Sequence, residues 1–199
     1  MKKKERQQNK PDFINGLGDS GRATMDLAVE AINGDPLLFR EVMELSFTQP
    51  YPINMRTARV AQLCCEQDPG LIQPWMDDVI QKISIATTDG VKRSYLKIIN
   101  DYTGIDGIED PGFLVQTCFD WLISPREAIA IRYHALGILM KTCKKIPELT
   151  PELMSVLNFI LEEDNPSPGL KNFINKSLSS LKKSGIGFRE KNNSSKDRR

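Results

Sequence analysis

Few side chains in this sequence are suited to acid–base or nucleophilic chemistry. A single histidine, His134, occurs among 199 residues, and histidine is the side chain whose ordinary pKa lies close to neutral pH. No acid or cysteine clusters with it at helical spacing, and Cys143, nine positions later, is out of phase with it on a helix. We therefore expect a structural histidine in a protein that is not an enzyme, with no catalytic residue, no metal site and no cofactor.

The four cysteines are too few for a disulfide framework in a chain of this length, and no pair has the two-residue spacing of a zinc knuckle. Each falls within an apolar stretch, where cysteine behaves as a small hydrophobic residue. The sequence therefore predicts free, buried thiols at Cys64, Cys65, Cys118 and Cys143.

A short acidic segment suggests calcium binding as an alternative chemistry. Its members are Asp101, Asp106, Glu109 and Asp110. Their spacing does not match the alternating ligands of an EF-hand loop, and acids often precede helix N-termini because they complement the helix dipole. We expect a solvated loop between two helices.

The helices that position these side chains can be located from four segments that begin with the same residue pattern. Each begins with an apolar residue and a base, and places an isoleucine or leucine eight positions after the first residue. The openings are Met55-Arg56, Val91-Lys92, Ile131-Arg132 and Leu170-Lys171. A period of 36 to 40 residues indicates stacked helical hairpins, because one hairpin cannot bury its apolar face alone.

Proline marks the links between these helices. None of the twelve prolines interrupts a periodic stretch, which is typical of first helical turns and connections. No alternating strand pattern is found. The predicted helices are 22–33, 36–48, 53–67, 74–86, 90–103, 111–123, 125–145, 151–163 and 168–183. From 36 onward they pair into four hairpins, each with a first (A) and a second (B) helix, and 22–33 is predicted as a cap.

Two stretches resemble HEAT repeats. They are Asp68–Met76 followed by Asp89–Arg93, and Ala130–Gly137, in which the B helix opens with an apolar residue and a base. The resemblance covers about 36–183, but it lacks the usual aspartate before the base in repeats one, three and four. It implies an all-α fold, a right-handed α-solenoid of about four HEAT-like hairpins plus the N-terminal capping helix, and binding of protein or nucleic acid.

Charge is unevenly distributed along the chain. The net charge is +1, whereas residues 1–10 carry +4 and residues 182–199 carry +5. Basic, apolar-poor ends are typical of disordered tails. We expect a largely disordered segment at 1–20, a solenoid at 21–183 and a disordered tail at 184–199. With no apolar run long enough for a signal peptide or a membrane span, we expect a cytoplasmic protein that does not bind membranes.

The B helices carry most of the positive charge of the remaining body. Fourteen residues from each B helix together hold twelve bases and three acids. Helical geometry places the third, seventh and eleventh positions away from the apolar side, and in a HEAT-like solenoid this stripe would line the concave face. The predicted binding residues are Arg93, Lys97, Tyr133, Lys141 and Lys176. An alternative is that lysines in last turns only complement helix dipoles.

The sequence therefore predicts a non-enzymatic scaffold that binds a protein partner with an acidic surface through the B helices. The alternative is a nucleic-acid-binding protein similar to the HEAT-like alkylpurine DNA glycosylases, for which Asp101 is the acid on the stripe that could act in catalysis. A third interpretation is an assembly role through an exposed end of the stack.

Overall fold

The computed structural model describes residues 12–105, 108, 110–163 and 166–183, and every regular element within these ranges is a helix. Two short 3₁₀ segments, Pro69–Trp75 and Pro147–Leu149, lie between α-helices, and a π-helical turn, Ile99–Thr103, continues the helix that ends at Ile98. The α-helices are α1 Phe13–Gly16, α2 Arg22–Ile32, α3 Pro36–Thr48, α4 Ile53–Gln67, α5 Met76–Ile85, α6 Asp89–Ile98, α7 Pro111–Ile123, α8 Ile129–Lys145, α9 Thr150–Glu163 and α10 Pro168–Lys183.

Aspartate followed by proline starts two of these helices as predicted. The carboxylate of Asp35 accepts a hydrogen bond from the Leu37 amide at 2.8 Å at the start of α3. Asp110 accepts from the amides of Gly112 and Phe113 at 3.0 and 3.4 Å at the start of α7. Each cap satisfies amides that have no partner within the helix.

The predicted start of α8 at 125 is wrong. Ser124 ends α7, and the Glu127 amide donates to the Ser124 carbonyl at 3.3 Å, which closes a turn in front of α8. The turn places the Glu127 carboxylate 2.7 Å from Nζ of Lys92 on α6. Because this segment is used for the turn and the ion pair, α8 begins only at Ile129.

A short N-terminal helix, α1, was not predicted. Asp12 caps it through the amides of Ile14 and Asn15, and Phe13 and Leu17 are buried. The Leu17 carbonyl accepts a hydrogen bond from Nη1 of Arg56 at 2.7 Å. The expected boundary at residue 21 stays a prediction. Residues 1–11 and 184–199, expected to be tails, lie outside the described residues.

The chain divides into two compact units, with the boundary inside α8 between Ile138 and Leu139. In the first unit α2, α3 and α6 all pack against α4, and α5 packs against α6 and α7. In the second unit α9 packs against α10. Each contributes one buried stripe to that unit, Leu153, Leu157 and Ile160 from α9 and Leu170, Ile174, Leu178 and Leu181 from α10. The predicted fold class, an all-α fold of HEAT-like hairpins, is confirmed.

The bases near the start of the B helices make contacts that stabilise the fold. Nε of Arg132, a buried residue, donates to the Leu122 carbonyl at the end of α7 at 3.0 Å. The Lys92 ammonium pairs with Glu127 and lies 4.9 Å from the ring centroid of Trp121. Together with the Arg56 bond to Leu17, these contacts tie helices to neighbouring segments. The recurring base is therefore a structural feature in α4, α6 and α8.

We predict that Arg132→Met lowers the free energy of unfolding by about 1–3 kcal/mol, because it removes the donor to a main-chain carbonyl while keeping most of the side-chain volume. Lys171→Met is the matched control, since Lys171 has the same position in α10 but is exposed. Its effect should stay within about 0.5 kcal/mol. Urea unfolding measures both, and equal effects would contradict a structural role for the base in α8.

Candidate functional site

Three alternate helices of the first unit, α2, α4 and α6, each carry an arginine in one neighbourhood. Arg22 on α2 donates from Nε to both carboxylate oxygens of Asp26, at 2.8 and 2.9 Å. Arg59 on α4 donates from Nη1 to Oε1 of Gln62. Arg93 on α6 is exposed, and nowhere in the described part of the chain does a side chain pair with it. We call these residues the arginine row.

Within the arginine row Arg22 is paired with Asp26, whereas in the described part of the chain no carboxylate is bonded to Arg59 or Arg93. Partial burial lowers the pKa of Arg59, and the charges of Arg93 and Arg22 lower it further. The carboxylate of Glu66 acts in the opposite direction on Arg59. Because arginine stays protonated at any physiological pH, these groups cannot relieve their repulsion by losing a proton. An anion that bound between them would relieve it.

Lys97, one turn beyond Arg93, is already paired. Its ammonium donates to Oδ2 of Asp101 and lies 5.4 Å from the ring centroid of Tyr102. The hydrogen bond to Asp101 raises the pKa of Lys97, although partial burial opposes the shift. Asp101 therefore acts here as the partner of a base.

His134 faces the π-helical turn of α6. Its Nδ1 lies 3.5 Å from Nδ2 of Asn100, and since an amide nitrogen only donates, Nδ1 accepts and the ring proton sits on Nε2. Nδ2 of Asn100 also donates to Oδ1 of Asp101 at 2.8 Å. Burial lowers the pKa of His134, the charges of Lys97 and Arg93 lower it further, and Asp101 opposes them. His134 is therefore neutral at pH 7.

Gly137 allows this contact. A Cβ at Gly137 would lie 2.5 Å from Oδ1 of Asn100 and 2.9 Å from its Cγ and Nδ2. A glycine in a helix interior costs about 1 kcal/mol relative to alanine, and here it makes room for the side chain of Asn100. The π-helical turn that carries Asn100 is a local irregularity of a kind often found at functional sites.

The described residues offer little for catalysis. Burial raises the pKa of Cys64 to about 12 and also raises the pKa values of Cys65, Cys118 and Cys143. All four thiols are free and buried, as predicted, and a protonated, buried thiol is a poor nucleophile. Within the described ranges no three His, Cys, Asp or Glu side chains are grouped as metal ligands.

A comparison with protein families identifies the architecture. The model of the HEAT repeat domain matches residues 18–181, most of the chain. The chain belongs to the HEAT repeat domain family. Comparisons with characterised proteins and with solved structures gave no match. HEAT repeats are typically non-catalytic scaffolds that mediate protein interactions, which agrees with the predicted class but does not identify a partner.

Three of the five predicted binding residues lie in the first unit. Arg93 and Lys97 lie on α6, and Tyr133, with 44% of its surface exposed, lies next to His134 on α8 with its ring edge-on at 5.6 Å. Lys141 and Lys176 are exposed residues of the second unit. Whether these residues bind a partner stays a prediction.

The two described residues of the acidic loop have different structural roles. Asp101 pairs with Lys97, and Asp110 caps α7. Asp106 and Glu109 lie outside the described residues. No helix of the described chain is both long and apolar enough to cross a membrane.

Sequence reasoning missed Arg59, although a signal for it was present. The fifth position of the B helices is otherwise apolar, with Tyr95, Ala135 and Ile174 at the equivalent places. A base at this otherwise apolar position, in a helix that packs against three others, indicates a charged side chain that is partly buried in the fold. Asn100 and His134 gave no comparable signal, because they occupy the tenth and fourth positions of different B helices.

We predict that Gly137→Ala lowers the free energy of unfolding. The clash with Asn100 should cost about 1–3 kcal/mol, which outweighs the gain of about 1 kcal/mol in helix propensity. Gly169→Ala is the matched control, because no heavy atom lies within 4 Å of its added Cβ. That variant should be unchanged or slightly more stable in thermal and urea unfolding. A stabilised Gly137→Ala would contradict the close packing against Asn100.

We also predict a pH-dependent contribution of His134 to stability. Because the folded protein lowers the pKa of His134 from its ordinary value of 6.5, the unfolded chain binds the proton more tightly. Stability should therefore fall as the pH decreases through 6.5, until the folded-state pKa is reached. The stability loss between pH 7.5 and 5.5 should be smaller in His134→Gln. Equal losses in both proteins, or an NMR titration of His134 above pH 6.5, would contradict this.

Proposed function

We propose that this HEAT repeat protein is a non-enzymatic scaffold that binds an acidic protein partner through the exposed side of its B helices. The observation that supports this proposal is that Arg59 and Arg93 lie on the packed helices α4 and α6, and that no carboxylate is bonded to either of them in the described part of the chain. A folded protein gains nothing from such a pair by itself. A partner that supplies negative charge at this place would gain affinity and specificity from it.

The surroundings of the arginine row favour a protein partner over nucleic acid. Glu66, Asp26 and Asp101 lie in the same neighbourhood. A nucleic-acid backbone places a negative charge on every nucleotide and is bound by continuous rows of bases. An acidic protein segment can place its carboxylates opposite Arg59 and Arg93 only. It can present uncharged residues to the neighbouring aspartates and glutamate.

Tyr133 adds an aromatic contact beside this charge. Its ring is nearly half exposed, and tyrosine is enriched at interfaces because it offers a large apolar area with little conformational entropy to lose. We therefore include Tyr133 with Arg93 in the proposed binding surface and keep the cytoplasm as the expected location. Relation to the alkylpurine DNA glycosylases stays a prediction, and the ion pair of Asp101 with Lys97 gives it no support.

Site-specific photocrosslinking in cells tests this function. We expect p-benzoylphenylalanine at Tyr133 on α8 to form a protease-sensitive, nuclease-resistant adduct with a partner protein. Phe113 on the A helix α7 is the matched control position, with 45% exposure against 44% for Tyr133. An adduct formed only from Phe113 would place the interface elsewhere, and a nuclease-sensitive adduct would favour the nucleic-acid alternative.

A charge reversal tests the electrostatic part of the same proposal. Arg93→Glu should reduce the Tyr133 adduct about tenfold or more, because an interfacial charge pair is commonly worth at least about 1.5 kcal/mol. Arg126→Glu is the control, since Arg126 is an exposed base in the turn before α8. The melting temperatures of both variants should match that of the wild type. Equal adduct yields in the two variants would remove Arg93 from the interface.

A further inference from the structure

We propose that Arg59 and Arg93 together bind a phosphoryl group on a phosphorylated serine or threonine of the partner, an inference that depends on the function proposed above. The two arginines come from neighbouring helices, one is held in place by the fold, and their combined charge matches a phosphate monoester better than a carboxylate.

The two helices that carry these arginines, α4 and α6, pack against each other. Gly90 at the start of α6 lies so close to α4 that an added Cβ would be 2.4 Å from Cγ of Met55. Arg59 and Arg93 each lie about one helical turn beyond this contact, at the fourth residue after Met55 and the third after Gly90. Two side chains at the same level of adjacent helices can contact one ligand together.

Arg59 is oriented before any ligand binds. Its Nη1 donates to Oε1 of Gln62, a fully buried side chain, and Nε2 of Gln62 faces Oε2 of Glu66 at 3.4 Å. A guanidinium has five N–H donors, and this bond uses only one nitrogen. A partly buried, fixed arginine loses little side-chain entropy when it binds an anion, and its planar group matches phosphate oxygens in pairs.

Charge favours phosphate over carboxylate at this pair. A phosphorylated side chain carries about −1.5 to −2 at pH 7, which balances two guanidinium groups. A glutamate or aspartate carries a single charge and leaves one arginine unbalanced. The exposed Arg93 can close over the second face of the phosphoryl group, whereas Arg59 remains fixed by Gln62.

The neighbouring acids restrict the ligand to one such group. Asp26 is held by Arg22, Asp101 is held by Lys97, and Glu66 acts on both Arg22 and Arg59. Further phosphates on either side would approach these carboxylates. A single phosphorylated residue in an otherwise weakly charged segment fits the pair, while a nucleic-acid strand with regularly spaced phosphates does not.

Degenerate peptide mixtures test the inference on the full-length protein. The probes are three fluorescent 13-residue mixtures that differ only at the central residue, which is phosphoserine, glutamate or serine. We expect the phosphoserine mixture to bind about tenfold more tightly than the glutamate mixture, because a phosphoryl group has three terminal oxygens and more charge than a carboxylate to share between two arginines. Inorganic phosphate should compete.

Arginine-to-lysine variants show whether the pair itself is responsible. Arg59→Lys and Arg93→Lys keep the charge but lose the paired donors, and each should abolish the preference for phosphoserine. Arg126→Lys should retain it. Because Arg93 is exposed, Arg93→Lys gives a result even if Arg59→Lys fails to fold. A preference that survives Arg93→Lys would overturn the assignment.

The remaining outcomes separate this inference from the proposed function. Equal binding of the phosphoserine and glutamate mixtures would overturn the phosphate inference, and a Tyr133 adduct in the same cells would then still support the acidic-partner scaffold. Tighter binding of a random-sequence 13-nucleotide single-stranded DNA than of the phosphoserine mixture would overturn both. Loss of the Tyr133 adduct together with absence of phosphoserine binding would also overturn both.

Discussion

The burial of α4 on three sides is the constraint on which the first unit depends. α2, α3 and α6 pack around it, and its sequence from Thr57 to Cys65 is buried almost without interruption. Each fully buried leucine or valine side chain contributes about 1.5–3 kcal/mol, so this helix anchors its neighbours. A helix enclosed in this way has little freedom to turn, and the side chains at its exposed edge, Arg59 among them, are fixed with it.

The repeated base at the start of the B helices shows how an imperfect repeat stays regular. Arg56 reaches the Leu17 carbonyl, Lys92 reaches Glu127, and Arg132 reaches the Leu122 carbonyl. The partners lie in different places, since Leu17 precedes α2, Glu127 lies in the turn before α8, and Leu122 lies at the end of α7. The one requirement these repeats share is a positive group near the first turn of the B helix, because it ties that turn to an adjacent segment.

Local chemistry explains which elements could be predicted. Asp35 and Asp110, each followed by proline, gave the starts of α3 and α7 correctly because a cap depends on three or four adjacent residues. The predicted start of α8 was wrong because Glu127 forms an ion pair with Lys92, 35 residues earlier. A contact between residues so far apart in sequence leaves no local sequence pattern. The sequence did not predict α1, because four helical residues are too few to show a helical period. The contact of Asn100 with His134 depends on how α6 and α8 are staggered, which the repeat spacing alone does not determine.

The arrangement of charges separates residues that stabilise the fold from residues available for binding. Lys92 and Lys97 form ion pairs with Glu127 and Asp101, and Arg132 donates to a main-chain carbonyl. These three bases therefore already have partners within the fold. Arg59 and Arg93 differ, since no carboxylate is bonded to either of them in the described part of the chain. An anion bound at both arginines, such as the proposed phosphoryl group, would stabilise the folded protein, because a ligand that binds only the folded state shifts the equilibrium towards it. The positive stripe predicted from sequence therefore includes a base that is already paired in the fold, Lys97, and one that has no bonded carboxylate among the described residues, Arg93, on which the proposed binding depends.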